Sequence, residues 1–282
     1  FISDHPHTET SVLRVCELMD LPPSSYFVTA SISDADPVVA EIIAIAESSR
    51  GYGYRRITAE LRHRGLVVNA KKVRRIMREH DLSPKRKRRY VVTTDSNHDS
   101  PIYPNVAMNA EIDGPNQLWI ADLTYIAIAT GFAYLAVVLD AWSRKVVGYA
   151  LGRSIDARLT SAALEAAIRL RQPPPGCIFH SDRGAQYAAA RHRQILKREG
   201  MIGSMSRRAN PYDNAQAESF MKTLKVEAVY VGDYQTFDDV AADLPAFIEN
   251  VYNATRLHSA LGYLSPNQYE RINAPDGSKN AA

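Results

Sequence analysis

Cysteine is nearly absent: Cys16 and Cys177 are the two in 282 residues. Thiols so far apart in sequence exclude a disulfide framework and a cysteine-built zinc finger, and both are expected to be reduced. Long hydrophobic runs are missing as well. No stretch of 18 or more apolar residues occurs, and the opening residues FISDHPHTET have neither a basic head nor an apolar core. No membrane span or secretory leader is therefore predicted, and the expected location is the cytoplasm. An initiator Met is lacking too, which suggests a fragment or a product read through from an upstream frame. No internal repeat recurs at a fixed period.

What is present is 45% apolar residues, enough to bury a core, and a very uneven charge. The formal net charge is only +3. Residues 50–89, however, carry 15 Lys and Arg against Glu60, Glu79 and Asp81, a net +12 that leaves −9 for the rest. One segment is built for a polyanion and the remainder is not.

That segment reads as helical. PVVAEIIAIAES (37–48) has helical apolar spacing, and ITAELRHRG (57–65) follows with Ile57 and Leu61 four apart before a glycine stop. Asn69 is a good N-cap for AKKVRRIMREH, where Val73, Ile76 and Met77 form an apolar stripe. Lys71, Lys72, Arg74, Arg75 and Arg78 fall off that stripe, so residues 37–82 are predicted to form a helix-turn-helix whose basic face meets DNA. A solvated basic helix is the plainer alternative. Residues 1–36 precede this unit, and 83–116, with no sustained period and many Ser, Asp, Asn and Pro, read as a basic linker.

From Gln117 the pattern becomes strand-like. QLWIADLTYIAI, FAYLAVVLDAWS and KVVGYALG are predicted to form an antiparallel meander. A helix (DARLTSAALEAAIRLRQ), a short buried strand (GCIFHSD), a helix ending at a glycine (AQYAAARHRQILKREG) and a strand (MIGSM) complete an α/β layer with a mixed sheet.

Three carboxylates stand out. Asp122 interrupts the first strand, where Asp is disfavoured and costly to bury alone. It is a metal ligand or an edge-strand residue facing water. Asp182 closes the fourth strand as a ligand or as a helix cap. Glu218 lies on NPYDNAQAESFMKTLKVE, whose buried stripe is Ala217, Phe220, Met221 and Leu224, and whose other face repeats Asn214, Glu218, Lys222 and Lys225. It is a third ligand or half of a surface Glu–Lys pair.

The motifs LWIADLTYI, LDAWSRKVVGYAL, HSDRGAQY, SMSRRANPYDNAQAESFMKTLKVE and YNATRLHSALGYLSPNQYE together resemble the catalytic-frame protein of insertion-sequence transposases of the IS-three family. The resemblance covers residues 117–270, with 271–282 left as a tail, and GYGYRRITAEL resembles the upstream helix-turn-helix of that family. It implies an RNase H-like, integrase-type core behind a small all-α helix-turn-helix region, and a DDE set of Asp122, Asp182 and Glu218. His180 and Asn214 would support that set; helical spacing puts Lys222 and Lys225 on the Glu218 face, where they are expected to join the DNA contacts. It further implies two Mg²⁺ ions, with Mn²⁺ substituting, and terminal repeats and target duplex as partners. A homo-oligomer of two or more copies, an upstream-frame partner protein and a bacterial, nucleoid-associated setting belong to the same expectation. Ala209 departs from the pattern, since a glycine is expected in the turn before NPYDNA. A nuclease or resolvase with the same core, and an inactive DNA-binding regulator, are the rival readings. A retroviral-type integrase is disfavoured because its His2Cys2 zinc module needs more than the one Cys in the first 100 residues.

Overall fold

A computed structural model describes residues 16–20, 36–49, 51–84, 102–207 and 210–273. Arg50, the basic run at 85–89, the linker up to residue 101 and Ala209 lie outside the described residues, as do 1–15, 21–35 and the tail from 274.

From Asp36 on, three helices lead: α1 (Pro37–Ser48), α2 (Tyr54–His63) and α3 (Ala70–Glu79). Each start has a sequence cause. Asp36 accepts from Val38 N with a proline in the first helical turn, Gly53 precedes α2, and Asn69 accepts from Lys71 N at 2.8 Å. Their apolar stripes close on one another through Ile42, Ile45, Ile57, Leu61, Val73 and Ile76, all nearly inaccessible. Leu257, far along the chain, completes this small core.

The second unit is a five-stranded sheet of β1 (Leu118–Ile128), β2 (Gly131–Asp140), β3 (Val146–Gly152), β4 (Ile178–Ser181) and β5 (Ile202–Met205). Its order is β3-β2-β1-β4-β5. β1, β2 and β3 pair antiparallel as the meander, whereas β4 runs parallel to β1 and β5 parallel to β4. β1 is thus central, which rules out Asp122 as an edge residue.

Both faces are covered, and the two-residue period of the strands sorts side chains between them. Leu118, Ile120 and Ile126 of β1 point to one face, which packs on α7 (Ala215–Leu224) and α8 (Phe237–Ala246). Trp119, Ala121 and Leu123 point to the other, beneath α4 (Ala157–Arg171), α5 (Ala185–Ala188) and α6 (Ala190–Arg198). At Gly148 of β3 a Cβ would lie 2.5 Å from Ala163 O and 2.6 Å from Ala167 N, so α4 crosses the strand where only glycine fits. The last described element is α9 (Pro266–Asn273).

Two predicted helices are not single. AQYAAARHRQILKREG breaks at Ala189, which is extended at φ −59°, ψ 145°. The break brings Tyr187 and His192 together at 5.5 Å and onto Phe179, which one straight helix would not allow. NPYDNAQAESFMKTLKVE begins as a 3₁₀ turn (Pro211–Asn214), continues as α7 and widens into a π turn at Lys225–Val229. The described part of the linker, 102–116, lies along the sheet. Val106 N and Ala107 N donate to Ser204 Oγ, and the Tyr103 ring covers Gly203.

Candidate catalytic carboxylates and DNA-contact face

Ile120 and His180 are the last paired positions of the parallel β1/β4 ladder. Two residues beyond each stand Asp122, inside β1 where its ladder with β4 has ended, and Asp182, just past the end of β4; both are half-buried. Asp122 Oδ1 accepts from Leu123 N, and Asp182 Oδ1 accepts from Gly184 N at 2.9 Å. The second bond is an Asx turn and not a helix cap, since α5 starts after Gly184 with no side-chain cap.

Glu218 reaches this side of the sheet on α7. Asn214, buried at the start of that helix, gives no cap bond; its Nδ2 donates instead to Ala121 O, the residue before Asp122, at 3.4 Å. The link fixes the helix start beside Asp122, with Glu218 one turn along. Asp213 holds the approach to α7: Arg207 donates to both its oxygens and Asn105 to one.

The electrostatics reflect the crowding. Asp122 is pushed up to about 7, first by burial and then by the charge of Asp182; Glu218 adds to the rise, while Leu123 N–H and Lys225 oppose it. Glu218 is more exposed, and its own upward shift comes from burial. The Tyr187 hydroxyl is raised well above its usual range by burial and by both aspartates, and has no hydrogen-bond partner among the described residues. Sequence reading missed Tyr187; its signal was the aromatic four residues after the charged HSDR.

A divalent cation fits this donor set. Its oxygens are hard ligands, Asp122 and Asp182 repel each other, and Asn214 Oδ1 is buried without a partner. The arrangement is open and not a closed cage. Among the described residues no three His, Cys, Asp or Glu side chains gather closely enough to hold an ion. The structure thus brings Asp122 and Asp182 together and leaves Glu218 standing off on the helix.

His180 lies in β4 two residues before Asp182. Its Nδ1 meets Ser204 Oγ at 2.9 Å and its Nε2 meets Ser206 Oγ at 3.0 Å, and Ser206 Oγ also donates to Ser181 O. Burial lowers its pKa. The neutral ring bridges β4 to β5 just before Asp182.

The two lysines separate. Lys222 is exposed, with no ion pair to Glu218 among the described residues, so the surface Glu–Lys pair is not formed. Lys225, carried inward on the π turn, sits 4.9 Å above the Tyr125 ring, where Asp122 feels its charge. The five cations of α3 separate in the same way. Lys71, Arg74 and Arg78 are exposed along one helical stripe, whereas Lys72 pairs with Asp36 at 2.7 Å and Arg75 faces Glu79 at 3.8 Å.

Residues 113–211 and 199–266 match the family Integrase core domain, and residues 33–90 match HTH-like domain. The insertion element IS600 uncharacterized 31 kDa protein of Shigella sonnei is 40% identical, over 79% of this chain and 83% of its own. Transposase InsF for insertion sequence IS3A of Escherichia coli (strain K12) is 38% identical, over 82% of this chain and 81% of its own. Among solved structures, the simian T-cell lymphotropic virus intasome in complex with PP2A regulatory subunit B56 gamma covers 84% of this chain and 75% of that chain, at 13% identity and a TM-score of 0.49. Among the described residues no helix is long and apolar enough to cross a membrane.

Proposed function

The chain belongs to the family of insertion-sequence transposases that includes InsF of IS3, and from that membership we propose how its residues divide the work of DNA strand transfer. Asp122, Asp182 and Glu218 hold divalent cations, two Mg²⁺ or Mn²⁺. Bound there, the ions would supply Lewis-acid chemistry for the attacking oxygen and the departing 3′-oxygen, both in cleavage at an element end and in attack of the freed 3′-OH on target DNA.

The observation that carries this reading is that Asp122 and Asp182 stand at one level on adjacent parallel strands, each two residues past the last paired position, with α7 tied to Ala121 beside them. The paired strands are rigid, so the two carboxylates are held in place before DNA arrives. Glu218, on a helix and more exposed, closes on the site from the solvent side. Lys225 limits the charge build-up at Asp122, and Lys222 faces the strand that runs along α7. Lys is a flexible point charge suited to phosphate contact.

Residues 37–82 hold the element ends through the α3 stripe, residues 83–116 join them to the core at 117–270, and the terminal repeats and a target duplex are the DNA partners. Two ends must meet in one complex, which calls for at least a dimer, and an upstream-frame product is a further partner. The setting is the bacterial nucleoid.

The test uses Asp122→Asn, Asp182→Asn and Glu218→Gln on an end-bearing duplex in Mg²⁺, scoring nicking and joining of the 3′-OH to a second duplex. Each variant is expected to lose both steps and to keep DNA binding, because the phosphate-contacting surface is untouched. Near-parental activity in any one removes that residue from the ligand set, and nicking without joining by the parent chain would point to a nuclease.

A further inference from the structure

We propose that a pocket where α2, α7 and the segment after α8 meet is a second phosphate site, which takes a backbone phosphodiester of the DNA strand engaged by the core. The proposal rests on the transposase reading and extends it to residues that the reading does not use.

The pocket, about 80 Å³, is lined by Arg56, Arg144, Arg256 and His258, with Gln216 and Ser219 of α7 at its wall. A single water needs roughly 10–15 Å³, so the space admits a phosphate group. Its charge is unbalanced. Glu227 is the acid that answers the three guanidiniums, and both its oxygens are taken by Arg256 at 2.8 and 2.7 Å. Arg56 gives its Nε to Leu257 O. Arg144 has no acid partner among the described residues. Converging cations that are partly withdrawn from water are costly unless an anion joins them, and the planar guanidinium fork matches phosphate oxygens.

A second observation points the same way. His258 is 7% exposed, yet its Nε2 is buried without a partner among the described residues. That atom donates when it carries the ring proton. Gln216 Oε1 is likewise buried and unpartnered, and the amide turned about offers its NH₂ instead. Burial and the charges of Arg256, Arg144 and Arg56 push His258 down to about 3, so the ring meets the anion neutral and the arginines supply the charge.

Position selects DNA over a free anion. Ser219 follows Glu218 directly on α7, so the pocket opens about 100° round the helix from Glu218. A strand with its scissile phosphate at Asp122 and Asp182 that runs along α7 would pass this face, and Arg56 would bring the helix-turn-helix unit onto the same strand.

The 282-residue chain in EDTA is titrated with a labelled blunt duplex over a salt series, as parent, Arg144→Gln, Arg144→Lys and Ser219→Asp. Thermal midpoints are taken with and without inorganic phosphate at constant ionic strength. Arg144→Gln should lower the log–log salt slope by about one unit, Arg144→Lys should keep it, and inorganic phosphate should not raise the parent midpoint. Ser219→Asp, on the exposed helix surface, should weaken binding and decides the matter if Arg144→Gln does not fold. An unchanged slope with unchanged affinity in Ser219→Asp reduces the arginines to a structural clamp and overturns the proposal. A phosphate-raised midpoint that Arg144→Gln abolishes, with the DNA slope unaltered, makes this a free-anion site and overturns it too. A parent chain that binds no duplex at all refutes the transposase reading itself, which keeps the two failures apart.

Discussion

Replacing Asp122 by Asn removes a charge that burial and a neighbouring carboxylate both oppose. The carboxyl is pushed to about 7 from an ordinary 3.8, by burial first and by Asp182 next. A raised acid pKa means that, between those two values, the folded protein keeps a proton that the unfolded chain has lost. Stability therefore falls as pH rises through that window, and the full cost is present above about 7. At roughly 1.36 kcal/mol per pH unit the gap bounds the cost near 4 kcal/mol. Water at the half-buried carboxylate brings the expected figure to about 2–3 kcal/mol. Asp122→Asn keeps an acceptor for Leu123 N and stays neutral throughout. Relative to the parent it should gain that amount between about pH 4.5 and pH 8. Urea denaturation of both proteins in EDTA at each pH measures it, and taking the difference cancels the other titrating groups. Mg²⁺ at the higher pH should then stabilise the parent, by about 2.7 kcal/mol at a hundredfold excess over Kd, and leave the variant unmoved. A difference that is constant with pH, or a parent that gains on the variant as pH rises, would refute the crowded-carboxylate account.

Two further outcomes follow from the packing. Changing Lys71, Arg74 and Arg78 together to Gln should lower the salt slope of DNA binding by about three units, whereas Lys72→Gln, whose charge is spent on Asp36, should change it by well under about one. Fluorescence anisotropy over a salt series reads both, and equal losses would mean that α3 presents a different face. Gly148→Ala should cost about 1–3 kcal/mol, because the new methyl meets helix backbone that cannot step aside. The fall appears as a lower urea midpoint at unchanged m-value, and an unmoved midpoint would contradict the tight crossing of α4 over β3.

Much of this protein is local chemistry and so is legible without coordinates. Asn69 caps α3 because its side chain answers an orphan N–H two residues on, and the stripe Val73, Ile76, Met77 follows from helical spacing. The meander is a two-residue period interrupted by short turns, and the ordered motifs around Asp122, Asp182 and Glu218 identified the family. What depends on partners distant in sequence was not legible. Only the parallel pairing of β4 with β1 sets Asp182 beside Asp122, since a ladder across some sixty residues of chain leaves no periodic trace. The break at Ala189 and the π turn after Leu224 answer to Phe179, Tyr125 and the sheet beneath, which overrule the helical period. Which cations face outward, Lys71, Arg74 and Arg78 but not Lys72, was settled by where Asp36 came to lie. Periodicity records how each segment divides between core and water, and the tertiary structure decides which charge each segment meets once it is there.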